Sequence, residues 1–186
     1  MPGPRSRLTL ALIALLVAAW STPGETSEKW GPFRGQLVDQ ATGKGIAGAA
    51  VIAIWWKNEP NPVQMNRSFF DATEAVTDAE GRFEIPRYAK PPFFDFQIFL
   101  PEITYFAPGY LSLRKQVTPS DGQPFVAETT IFMERIETRE ALAQKSRSGP
   151  AAVPLDKMKE FTKAVNVERA LLGLSPITIP AQETKP

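Results

Sequence analysis

Beyond Trp30 the apolar positions of the chain recur every second residue in short runs, and each run stops at a cluster of glycine, proline, aspartate or asparagine. A period of two sends alternate side chains to opposite faces of an extended segment, so the runs predict strands with a buried face. Phe33, Gly35 and Leu37 alternate with Arg34, Gln36 and Val38 in a first strand that ends at Asp39. Asp39 to Gly48, with Gly43, Gly45 and Gly48, is a tight connecting loop. Ala49 to Trp56 predicts a second strand that is apolar on both faces: Val51, Ala53 and Trp55 on one, Ile52, Ile54 and Trp56 on the other. Such a strand is central in its sheet or has one face covered by another part of the chain.

Lys57 to Asp71 contains Pro60, Pro62 and several asparagines, which predicts a long loop or insertion. Ala72 to Thr77 and Arg82 to Ile85 flank Asp78-Ala79-Glu80-Gly81, the signature of a short hairpin with Gly81 at positive φ. Alternation resumes at Phe96, Ile98 and Leu100 and again at Ile103, Tyr105 and Ala107, then in Leu111 to Gln116 and in Phe125 to Met133. Together these runs predict an all-β domain over 30–133, a sandwich of roughly seven or eight strands of the immunoglobulin-like or transthyretin-like kind.

After Met133 the period changes. Glu134 to Lys145 is charged and compatible with a helix, and Ser146 to Val153 has linker composition. From Asp156 to Leu172 the apolar positions Met158, Phe161, Val165 and Leu172 follow helical spacing, with Leu155 just ahead, Asp156 in the first turn and Gly173 at the end. Its polar face mixes Glu160 and Glu168 with Lys157, Lys159, Lys163 and Arg169, which favours docking on the sandwich over a membrane surface. The segment 134–186 is thus a linker, helix and tail appended to the β-domain.

Residues 1–22 have the layout of a secretory signal peptide: Arg5 and Arg7 precede an apolar stretch from Leu8 to Trp20, with Ala18, Ala19 and Ser21 around its end. That stretch falls short of the ~20 residues that cross a bilayer as a helix, so no stable membrane insertion is expected after cleavage. The expected location is periplasmic or extracellular. With no cysteine in the chain, neither disulfides nor a cysteine-borne lipid contribute, and the fold depends on its core alone. The chain carries 21 basic and 20 acidic residues, two of the basic ones in the leader. A near-neutral mature chain without a basic stripe gives no support for nucleic-acid binding.

The series Gly35, Val38, Asp39, Thr42, Gly43, Ile46, Gly48, Ala49 and Val51, followed by Thr77, Asp78, Gly81 and Phe83 and then by Gly109 and Tyr110, resembles the carboxypeptidase regulatory-like domain. The resemblance spans Trp30 to Met133. It implies a transthyretin-like sandwich that serves as an accessory module in exported proteins, with no peptidase activity of its own. The shared residues build turns and core, so they carry fold more than function. Lys57 to Asp71 and the aromatic stretch from Phe93 to Phe106 depart from the simplest pattern of the family.

Catalytic chemistry has little to draw on. The chain has no histidine and no cysteine, which removes the usual general base, the Ser-His-Asp and Cys-His arrangements and the common zinc ligands. The transthyretin-like hydrolases of 5-hydroxyisourate depend on histidine, so that activity is not expected. Asp71 with Glu74 and Asp78 with Glu80 are conceivable carboxylate pairs for a carbohydrate-active hydrolase, the alternative reading, although nothing in the sequence supplies a cleft around them. Neither a metal nor a cofactor is expected. The stronger signal is aromatic. Trp55-Trp56, Phe69-Phe70 and Phe93-Phe94 cannot each send both members to one core if the backbone is extended. An exposed member beside a polar loop suits contact with a polysaccharide or a protein. The sequence therefore points to a non-enzymatic binding or structural module, with these six aromatics as candidate contact residues.

Overall fold

The computed structural model describes residues 28–59, 66–92, 97–116, 129–145 and 152–179. Strands dominate, and they form two sheets. In order along the chain they are β1 (Phe33–Asp39), β2 (Ala50–Glu59), β3 (Asn66–Val76), β4 (Arg82–Ile85), β5 (Glu102–Phe106), β6 (Leu113–Gln116) and β7 (Thr129–Met133). The first sheet has the order β4-β1-β7 and the second β3-β2-β5-β6. Within them β1 and β7 run parallel, while the other neighbours are antiparallel. Two helices follow, α1 (Arg139–Lys145) and α2 (Lys159–Leu171), the second preceded by a 3-10 turn, Leu155–Lys157.

One apolar cluster takes side chains from both sheets: Phe33 and Leu37 of β1, Val51, Ala53 and Trp55 of β2, Phe83 and Ile85 of β4, Ile103 and Tyr105 of β5, and Ile131 and Met133 of β7. Within each strand these positions differ by even numbers, as a two-residue period demands. The even positions of β2 face a second cluster, in which Ala50, Ile52 and Ile54 meet Phe106, Val153, Met158, Phe161 and Ala164. Helix α2 therefore supplies the second cover that the doubly apolar Ala49–Trp56 run requires. Its docking is polar at both ends. The Glu74 carboxylate on β3 accepts the N–H groups of Glu160 (3.0 Å) and Phe161 (2.8 Å), and the buried Glu168 accepts the N–H of Gly109 at 3.1 Å.

Two expectations are corrected. Lys57 to Asp71 is not one long loop: β2 continues to Glu59 and β3 starts at Asn66, leaving only 60–65 outside the described residues. Cross-strand pairing from Trp56↔Phe69 to Glu59↔Asn66 holds this ribbon together, and a register shift between Trp55 and Trp56 adjusts its twist. Asp78 to Gly81 does form a tight turn, with Gly81 at φ +78 and its N–H bonded to Asp78 O at 3.0 Å. The flanking strands, however, belong to different sheets. Thr77 is anchored before the turn, its hydroxyl accepting Ala49 N–H at 2.9 Å and donating to Ile46 O at 2.6 Å. Beyond the turn, β4 pairs with β1. The connection is an arch from one sheet to the other, and no hairpin forms.

Candidate functional site

The β2–β3 ribbon extends past the sheet proper, and residues 97–99 line its edge. Asn58 N–H donates to Gln97 O at 2.7 Å, Phe99 N–H donates to Trp56 O at 2.8 Å, and Lys57 bridges Ile98. Directly paired residues share a face, so Trp56 and Phe69 lie on one side together with Asn58 and Arg67. The indole of Trp56 meets the ring of Phe69 edge-on, with centroids 6.2 Å apart. Beside them the Arg67 guanidinium lies 4.3 Å above the ring of Phe99, a cation–π contact. Trp56, Phe69 and Phe99 are partly exposed, and Arg67 is exposed. Asn58 Oδ1 is buried and has no hydrogen-bond partner among the described residues. Three half-open rings and a guanidinium thus share one face of the ribbon, at the margin of the surface covered by α2, while the Asn58 oxygen is closed off from solvent.

The six candidate aromatics divide sharply. Trp55 is 0% exposed, so its place in a contact surface is corrected: its ring stacks on Trp30 at 5.8 Å and its Nε1–H donates to Lys29 O at 2.8 Å. Phe70 packs on the same core and lies near Trp30 and Tyr88. Trp56 and Phe69 come together on the ribbon, although their inner edges pack on the α2 side. Phe93 and Phe94 lie outside the described residues. Sequence reasoning missed Arg67, Phe99 and Asn58, because prolines and asparagines nearby masked an extended segment. The spacing of Arg67 and Phe69, two residues apart, was the available signal.

The carboxylates serve other ends. Asp39 Oδ1 accepts the N–H groups of Ala41 (3.0 Å) and Thr42 (2.9 Å), and Oδ2 accepts the Tyr110 hydroxyl at 2.9 Å and Arg135 Nε–H at 3.3 Å. The Thr42 amide, then the Tyr110 hydroxyl, hold its carboxyl down to about 2. Burial alone would raise Asp71, but hydrogen bonds from Lys157 (2.8 Å), Tyr88 (2.8 Å) and the Ala72 amide outweigh it and lower the carboxyl below its ordinary range. The partner phenol of Tyr88 is pushed up to about 12, by burial first and by Asp71 second. Glu74 goes the other way: burial raises it more than its helix amides lower it. Asp78 closes its own turn by accepting the N–H groups of Glu80 and Arg82. These carboxylates tie one segment to another. Among the described residues no group of three or more metal-ligating side chains comes together.

No protein-family model matches the chain, and no curated protein matches it.

Proposed function

We propose that this chain is an exported, non-enzymatic β-sandwich module of the carboxypeptidase regulatory-like kind, which binds a polysaccharide or a protein at the cell envelope or outside the cell. The observation that carries the reading is the ribbon face, where Trp56, Phe69 and Phe99 stand partly open beside Arg67 and Asn58. Aromatic faces give contact area at low entropic cost, and the guanidinium gives direction to a polar partner. The two sheets and their shared core support the sandwich. The segment 28–30, pinned by Trp30 in the core, supports a folded domain that begins soon after a removable leader. The hydrolase reading draws no comparable support, because Asp71, Glu74 and Asp78 are engaged in structural hydrogen bonds.

Binding to an array of neutral and acidic polysaccharides, together with pull-down from envelope extract, tests the proposal. Arg67→Ala is expected to lose binding with only a small fall in melting temperature, since the side chain is exposed and its one ring contact, with Phe99, is of the weak exposed kind. Trp56→Ala and Phe69→Ala should lose binding with a modest fall in melting temperature. Retention of binding by all three variants would refute the ribbon as the contact surface.

A further inference from the structure

The aromatic side chains of the ribbon face stand in a row across three strand segments. The bridge from Lys57 to Ile98 is antiparallel, so Phe99 stands opposite Trp56, and Trp56 stands opposite Phe69. Residues opposite one another share a face. Three partly exposed rings are therefore rooted side by side, about 4.8 Å apart in the backbone. The next row along the same face is Gln97, Asn58 and Arg67. To bring its guanidinium 4.3 Å above the ring of Phe99, the Arg67 side chain runs diagonally across Asn58. The cation is thereby held flat at one end of the aromatic row.

Its charge is left without an answer. Arg34, Arg114 and Arg135 each meet a carboxylate, Glu84 at 2.8 Å, Glu102 at 3.1 Å and Asp39 at 3.3 Å. Arg67 makes no ion pair or side-chain hydrogen bond among the described residues, only the ring contact with Phe99. The other charges of the ribbon, Lys57 and Glu59, lie on its opposite face and pair with each other at 3.3 Å. Toward α2, Asp71 and Lys157 likewise pair at 2.8 Å. The connection 60–65 has no ionisable residue in its sequence. An oriented guanidinium fork with free N–H groups matches the geometry of a carboxylate.

We propose, on the reading that the ribbon is the contact surface, that its ligand is an acidic polysaccharide: a hexuronate carboxylate pairs with the Arg67 fork while a neighbouring sugar ring lies against Trp56. The C–H groups on one side of a pyranose suit the negative face of an aromatic ring. Area favours a sugar chain over a folded protein. Three rings that are less than half open offer on the order of 200 Å² between them, against ~800 Å² per partner in a stable protein complex. A peptide strand would add to a ribbon edge through its main chain, and residues 97–99 already occupy one such edge.

Calorimetric titration of the full chain with polygalacturonate, alginate and hyaluronate, each beside its carboxyl methyl ester, removes the charge and keeps the sugar backbone. At least one acid form should bind, at least ~10-fold more tightly than its ester, and added salt should weaken it. Arg67→Gln should bring the acid down to the level of the ester. Phe99→Leu keeps an apolar side chain but removes the ring beneath the cation, so it should weaken the acid and leave the ester unchanged. Arg82→Gln, at an exposed arginine of β4, should change neither. An equal loss from Arg82→Gln and Arg67→Gln would mean diffuse adhesion and overturn the proposal. Acid and ester bound alike by the unaltered chain, and lost in Trp56→Ala, would overturn the acidic class and leave the ribbon standing. Failure of all three acids, with Arg67-dependent capture of an envelope protein or without it, would overturn the sugar. Acid binding that survives both Arg67→Gln and Trp56→Ala would refute the ribbon itself.

Discussion

Gly81 occupies a point where three backbone segments meet. A Cβ there would lie 2.3 Å from Leu37 O and 2.7 Å from Ile46 N, and the residue holds φ at +78. Gly81→Val meets both a steric and a conformational penalty, and a loss on the order of 3 kcal/mol is expected in denaturant unfolding. An unchanged midpoint would contradict the geometry of this turn. Asp39 offers a different test. Its folded carboxyl titrates at about 2, below the ~3.9 of an unfolded chain. The folded state therefore binds this proton less tightly, so the stabilisation is complete above about pH 4 and is lost as pH falls toward 2. Tyr110→Phe removes the hydroxyl that donates to Asp39 Oδ2, which lets the carboxyl rise. Melting curves taken across this window should show a lower melting temperature at neutral pH and a shallower acid limb for the variant. The positive φ of Gly81 was legible in Asp78-Ala79-Glu80-Gly81, since turn chemistry is local. The link from Asp39 to Tyr110 and Arg135 was not, because nothing in the sequence relates residues so far apart.

Helix α2 starts where a strand provides its first acceptor. The residue before it, Met158, makes no side-chain capping bond, and Glu74 of β3 meets the N–H groups of Glu160 and Phe161 instead. A carboxylate at the amino end also suits the helix dipole. Glu74→Ala removes these acceptors, and a cost of about 1 kcal/mol is expected, comparable to loss of an ordinary cap. Hydrogen exchange should show faster exchange at the Glu160 and Phe161 amides, with the amides of β1 unaffected. Equal protection in both proteins would refute this role for Glu74. The existence of α2 and the face it covers were legible, since Ala49–Trp56 is apolar on both sides and Phe161 and Val165 keep helical spacing. The strand register was less so. Pro60 and Pro62 signalled a break, yet β2 runs on to Glu59 and β3 begins at Asn66, and the Trp56–Phe69 pairing that joins them is a tertiary contact. The arch after Thr77 escaped for a related reason: a tight turn fixes the local reversal and leaves the partner of the following strand open.

For the molecule as a whole, export is the first matter to test. Mass spectrometry of the secreted or periplasmic form should find a new amino terminus between Trp20 and Glu25, ahead of the pinned segment at Trp30. Intact Met1 in a membrane fraction would refute a removable leader. The parallel pairing of β1 with β7, Gly35 against Thr129 and Asp39 against Met133, would bear on how the chain crosses a membrane if it is exported as proposed. The first strand gains its second neighbour only when the last is in place, and closing so long a loop is slow relative to forming adjacent pairs. A polypeptide threaded amino end first would have the parts of the β3-β2-β5-β6 sheet outside while the three-stranded sheet was still open. The strand order thus delays closure of the shared core until nearly all of 33–133 is available, which would suit a chain exported as proposed.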